Sequence, residues 1–150
     1  MKRTLTILFL LLISFNSFCA DTHNLMSYPS LYSVEQTSQR LTEILKNKGF
    51  TIFSQIDHAK GAKNAGIQLA DTKLIIFGNP KIGSRLMLCQ PTIAIDLPQK
   101  ALIWQDANKK VWLSVNSPEY LKKRHQVKGC DAIFSKIKKA LNAISTKATQ

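Results

Sequence analysis

The chain lacks the local patterns that announce most metal or hydrolytic enzymes. Neither an H-E-x-x-H nor a C-x-x-C pair occurs, and the histidines His23, His58 and His125 share no i, i+4 spacing, so no metal site is legible locally. There is no G-x-S-x-G nucleophile elbow, which leaves covalent hydrolysis without positive support. Internal repeats, Gly/Ser linkers and low-complexity tracts are also missing, and this excludes a solenoid or a string of modules. Acidic residues are few: 9 against 21 Lys and Arg, a formal net charge of +12.

What is present begins with a leader. Lys2 and Arg3 precede an uncharged, Leu-, Ile- and Phe-rich run over residues 4–18, the pattern of a secretory signal peptide. Its apolar part is shorter than the roughly 20 residues that span a bilayer, so cleavage is expected and a membrane anchor is not. Ser17 and Cys19 are the small residues that place the cut after Cys19. The expected layout is therefore a signal peptide over 1–19, an N-terminal segment with a first strand over 20–31, and a single domain over 32–148. The product would be periplasmic or secreted, with no membrane span after cleavage.

Cleavage removes two basic residues and no acid, which lowers the charge to +10. Much of the excess lies between Lys109 and Lys139, where nine Lys or Arg face only Glu119 and Asp131. Such a surface attracts anionic partners, an envelope surface or a small anionic ligand, while the exported setting disfavours nucleic acid. A plain solvated face that keeps a small domain soluble accounts for it as well. With Cys19 gone, Cys89 and Cys130 form an even pair in an oxidising compartment, a candidate disulfide beside the alternative of two buried thiols.

The pattern along the chain predicts an α+β domain. A short strand over residues 28–32, interrupted by Pro29, belongs near a sheet edge. Ser33 and Gln36 have capping-box spacing ahead of a helix with Val34, Leu41, Ile44 and Leu45 on one stripe, closed by Gly49. Residues 50–56 alternate as a strand, and Asp57 caps a short helix that Gly66 stops. Residues 74–77 form a buried strand followed by Gly78, Asn79 and Pro80, which read as a tight turn. Residues 81–99 carry no readable pattern. Residues 101–105 and 111–115 alternate around Asp106, Ala107 and Asn108 as a hairpin, Pro118 starts a short helix, and Phe134, Ile137, Leu141 and Ile144 stripe a final helix. Strand, helix, consecutive strands and helix argue for a mostly antiparallel sheet with two main helices on one face.

Several residues are candidates for chemistry. The stretch from Gly78 to Gly83 has phosphate-loop spacing but carries Ser84 where the lysine is required, which excludes nucleotide hydrolysis; it can still offer amides and Lys81 to an anion. His58 beside Asp57, Asp96 before Pro98, and His125 would meet only through the fold, where they would suit acid/base work or a metal between His58 and His125. The plainer roles are a helix cap, a turn former and a surface histidine. Trp104 and Trp112 on the hairpin either stack on a ligand or pack.

The segments IDHAKGA (56–62), LIIFGNPKIG (74–83), IDLP (95–98) and IWQDANKKVWLSVNSPEYLKKRH (103–125) together resemble the family called domain of unknown function 302. The resemblance implies a β-α-β(4)-α topology like that of TATA-binding-protein-like folds. It implies no activity. Its matched positions, Asp57, His58, Gly78, Asn79, Pro80, Asp96, Pro98, Asn116, Pro118 and His125, suggest a shared pocket. The expectation is a non-enzymatic binding protein for a small or anionic ligand or a metal, at His58, Asn79, Lys81, Asp96 and His125. The alternatives are an enzyme using His58 or His125 with Asp96, and a basic surface-interaction protein.

Overall fold

The computed structural model describes residues 24–150; the leader and its cleavage site lie outside the described residues. Eleven elements follow in order: β1 (Leu25–Ser30), α1 (Val34–Asn47), β2 (Thr51–Asp57), α2 (His58–Asn64), β3 (Thr72–Gly78), α3 (Pro80–Cys89), a 3-10 helix (Pro91–Asp96), β4 (Gln99–Gln105), β5 (Val111–Asn116), α4 (Pro118–Arg124) and α5 (Asp131–Thr149). The strands form one sheet in the order β1-β5-β4-β3-β2, and every neighbouring pair is antiparallel. This is the α+β class read from the pattern, with α2, α3 and α4 added to the β-α-β(4)-α core.

Strand alternation sorts the sheet into two faces. Ile75, Phe77, Ala101, Ile103, Val111, Leu113 and Val115 turn to one side, where they pack with Val34, Leu41 and Leu45 of α1 and Leu141, Ile144 and Ala148 of α5. α1 begins as its sequence dictates: the Ser33 hydroxyl accepts from the Gln36 amide while the Gln36 side chain accepts from the Ser33 amide. Thr37 is fully buried in this layer and satisfied, its hydroxyl bonded to the Ser33 carbonyl and to Ser30.

The first strand starts three residues earlier than the pattern suggests. Leu25–Ser30 pairs with β5, and the chain then turns, with the Tyr32 amide donating to the Ser30 hydroxyl. β1 is an edge strand, which is where Pro29 costs least. On the sheet's other face Trp104 and Trp112 stand opposite one another, half-buried. Their indole N–H groups donate to Ser114 and Asp106, so both serve as packing with a polar anchor.

The unreadable stretch 81–99 contains a helix, a 3-10 turn and a cis Leu97–Pro98 bond. With α4 and the start of α5 it builds a second apolar cluster of Leu86, Ile93, Leu121, Val127 and Phe134.

Candidate functional site

Between the two clusters lies a cavity of about 330 Å³. Its position follows from a local rule at the end of β3. Asn79 has an extended backbone and caps α3, its side chain accepting from the Lys81 amide at 3.0 Å, and Pro80 takes the first helical position, where its missing N–H is no loss. Gly78, Asn79 and Pro80 are therefore a strand-to-helix junction and not a tight turn. The junction swings α3 across the end of the sheet.

The crossing is close at Gly78, where a β-carbon would sit in van der Waals contact, 3.4 Å from the Pro98 side chain and 3.7 Å from Phe53. One wall of the cavity is α3, with Ile82 and Leu86; the other is α5, with Ile137 and Leu141; Phe50 and Phe77 come from the sheet side. Almost every lining group is carbon. The exception with consequences is Gln99, which is only 9% exposed, lines the cavity, and has no partner for its Oε1 among the described residues. The buried hydroxyls of Thr42 and Ser145 also lack partners, but neither lines this cavity.

Two cross-links hold the cavity's outer wall. Cys89 at the end of α3 is disulfide-bonded to Cys130 before α5, across 41 residues of sequence and a Cα separation of 6.7 Å. His125 is the other. Its ring is buried, with Nε2 2.6 Å from the Asp96 carboxylate and Nδ1 3.2 Å from the Thr92 hydroxyl, while its carbonyl accepts from the Gln90 side chain. Arg124 adds a second contact to Asp96 at 3.3 Å. Thr92 and Asp96 of the 3-10 helix and Gln90 just before it thus converge on one residue at the end of α4, and neither Asp96 nor His125 lines the cavity.

The structure therefore divides the residues singled out from sequence. Asp96 and His125 meet. Asn79 lines the cavity as a helix cap, and Lys81 is exposed on α3. The amides of Lys81, Ile82 and Gly83 all bond to Asn79, so the loop's donors are engaged within the chain and not open to an anion. His58 joins none of them. It is exposed at the start of α2, next to Asp57, which pairs with Lys73, whereas Gly78 is five residues further along β3, roughly 17 Å away at strand rise. The joint His58 and His125 site is corrected on this ground, because β2 carries His58 to the opposite end of the sheet. Among the described residues no three His, Cys, Asp or Glu side chains group as metal ligands.

Charges elsewhere are paired across elements. Glu119 is held below the usual carboxylate range by its hydrogen bond to Lys138, and Asp131 likewise by Lys122. The basic run from Lys109 to Lys139 is thereby partly neutralised, with Arg124 on Asp96 as a third pair.

Sequence reasoning missed the cavity because it missed α3. The available signal was Asn79 as cap, Pro80 at the first position, and Ile82, Leu86 and Cys89 at helical spacing.

The described residues contain no helix long and apolar enough to cross a membrane. Proteins named fluoride-specific ion channel FluC 1, from Brucella suis and from Brucella abortus, are each 46% identical to this chain over 103 residues. That match takes in 69% of this chain but 41% and 38% of those proteins, so the chain spans about two fifths of the relatives it matches. A solved structure, an uncharacterized conserved protein DUF302 from Bacillus stearothermophilus, superposes with a TM-score of 0.75 at 20% identity, covering 83% of this chain and 97% of that one. It supports the fold. The sequence pattern of the family described as domain of unknown function DUF302 matches residues 26–144, and this chain belongs to that family.

Proposed function

We propose that the domain is an exported, non-enzymatic binding protein whose cavity between α3 and α5 takes a small, largely apolar molecule bearing one hydrogen-bond donor. The observation that carries this reading is a cavity lined almost wholly by carbon, with Gln99, whose buried Oε1 has no partner among the described residues, in its wall. A buried acceptor without a partner costs about 1–3 kcal/mol, and a donor on a ligand would remove that cost. The volume of about 330 Å³ is near the lower end of the roughly 300–1,000 Å³ typical of small-molecule sites.

A small, strongly hydrated anion is a poor occupant. Losing water against phenyl and methyl groups leaves its charge unsolvated, and the lining offers Lys136 as its one full positive charge. This favours an apolar ligand over the anion expected from composition, and it also argues against fluoride in this cavity. The relatives' name does favour a place beside a membrane, since a channel works in a bilayer. The leader pattern and the Cys89–Cys130 bond favour export. As for acid/base chemistry, both ring nitrogens of His125 are engaged with neighbours, which favours a role as a clamp.

The test is titration of the purified protein with N-phenyl-1-naphthylamine, an apolar fluorophore with a single N–H. Saturable enhancement at one dye per chain is expected. Ala140→Trp, which fills the cavity, should abolish it, and Gln99→Leu should weaken it about fivefold, the loss of one hydrogen bond. Enhancement that never saturates, or that survives Ala140→Trp in a folded variant, would overturn the reading.

A further inference from the structure

The outer side of α3 has an unusual surface that the cavity does not explain. Lys81, Arg85 and Leu88 follow one another at i, i+4 and i+7 and share one side of the helix, away from buried Leu86. Leu88 is 86% exposed, whereas Ile82 and Met87, at 38% and 37%, belong to the cavity lining. Ile95 of the adjoining 3-10 helix is 74% exposed, and Phe53 on the neighbouring β2 is 52% exposed. Phe53, Ile82 and Met87 line the cavity, so Leu88 and Ile95 are the exposed apolar side chains here that it leaves unexplained.

Its charge is of one sign. From residue 72 to residue 95 the chain has no Asp or Glu. Among the described residues neither Lys81 nor Arg85 makes an ion pair, unlike Lys122, Arg124 and Lys138. Of the two acids that bound this stretch, Asp71 and Asp96, the second is already engaged by His125 and Arg124.

We propose that this face docks on an anionic lipid bilayer, with Lys81 and Arg85 at the level of the headgroups and Leu88 and Ile95 entering the acyl boundary. The argument is complementarity of two kinds on one surface. Unneutralised cations suit anionic headgroups, and isolated exposed aliphatic side chains beside them suit the shallow apolar layer beneath. A solvated basic face needs only the lysine and arginine, whereas a bilayer surface uses both these cations and the exposed aliphatic side chains near them. The proposal goes beyond the ligand reading and does not depend on what fills the cavity.

The experiment is co-flotation of the purified protein with vesicles of equimolar phosphatidylglycerol and phosphatidylcholine, against vesicles of phosphatidylcholine alone. Binding to the anionic vesicles should fall severalfold as salt rises from about 0.05 to about 0.5 M, where the Debye length shortens. Lys81→Glu with Arg85→Glu should lower partitioning more than tenfold, at about 1 kcal/mol per basic residue near such a surface. Leu88→Ser should lower it severalfold. Lys46→Glu with Lys48→Glu, the same charge change at the C-terminal end of α1, should lower it less than twofold. Equal loss from the α1 control would reduce the effect to net charge and overturn the proposal, as would equal binding to neutral vesicles or none at all. Self-association of the protein that the Leu88→Ser variant abolishes, without vesicle binding, would assign the face to a second copy instead. Dye uptake separates the two readings: vesicle binding that persists in Ala140→Trp supports this one alone, and dye binding without vesicle binding leaves only the cavity standing.

Discussion

Thirteen buried apolar residues fill the space between the sheet and helices α1 and α5, while five fill the space between α3, the 3-10 helix, α4 and the start of α5. The larger set comes from regular elements that alternate or stripe, and it closes mainly by packing, with no covalent tie among its members. Around the smaller set the chain adds covalent and polar ties: the Cys89–Cys130 bond, the hold of Asp96 and Thr92 on His125, and the Gln90 contact to the same residue. Five side chains bury too little surface to order three short helical segments against their conformational entropy. Cross-links do for the small cluster what area does for the large one. The cavity lies on the seam, touching Phe77 and Leu141 of one cluster and Leu86 of the other.

The largest effect should come from the larger cluster. Leu113 is fully buried in the centre of β5, and Leu113→Ala is expected to cost about 4 kcal/mol through lost transfer energy and a residual cavity. Urea unfolding should show one cooperative transition with a lower midpoint and an unchanged slope, because the whole domain depends on that layer. A truncation costing under about 1 kcal/mol would show that the packing of the sheet layer does not set global stability, and the contrast between the regions would fail.

Next comes the disulfide. Closing a 41-residue span stabilises by up to about 4 kcal/mol in the chain-entropy picture. Cys89→Ser with Cys130→Ser is expected to cost about 3 kcal/mol, because α4 and α5 still pack. The signature that sharpens the comparison is spatial. Amide hydrogen exchange should speed up in α3 and the 3-10 helix well before it does in β4 and β5. Uniform acceleration across the sheet would mean that the two clusters unfold as one.

The same contrast explains what could be read from the sequence. α1, the β4–β5 hairpin and α5 are legible because one-sided burial enforces a period, 3.6 for the helices and 2 for the strands. Asp57 as a cap and Pro118 at a helix start are legible because their chemistry is local. Residues 81–99 were not, since a helix of ten residues that lines a cavity on one side and carries exposed Leu88 on the other has no clean apolar stripe. The meeting of Asp96 with His125 is set by how the 3-10 helix and α4 come together, so spacing along the chain does not encode it. His58 shows the converse. Its motif looked like part of one site, yet strand direction alone carries it to the far end of the sheet.

The smallest effects should be electrostatic, and they should be equally small in both regions. Glu35 on α1 is held below the usual carboxylate range by its hydrogen bond to Lys73 of β3, on the large-cluster side; Glu119 on α4 is held low by Lys138 of α5, on the small-cluster side. A lowered folded-state value means that each pair stabilises fully above the ordinary carboxylate range, near pH 4, and loses this as pH falls through the folded value. Both pairs are well exposed, so solvent screening keeps each below about 0.5 kcal/mol at neutral pH. Glu35→Gln and Glu119→Gln should accordingly lower the urea midpoint slightly at pH 7 and leave no difference from the parent once both carboxylates are protonated. A loss above about 1.5 kcal/mol for Glu119→Gln alone would mean that the α4–α5 contact relies on charge. The small cluster would then be stabilised by ion pairing as much as by its disulfide, and the division between packing and cross-linking would have to be redrawn around Lys138.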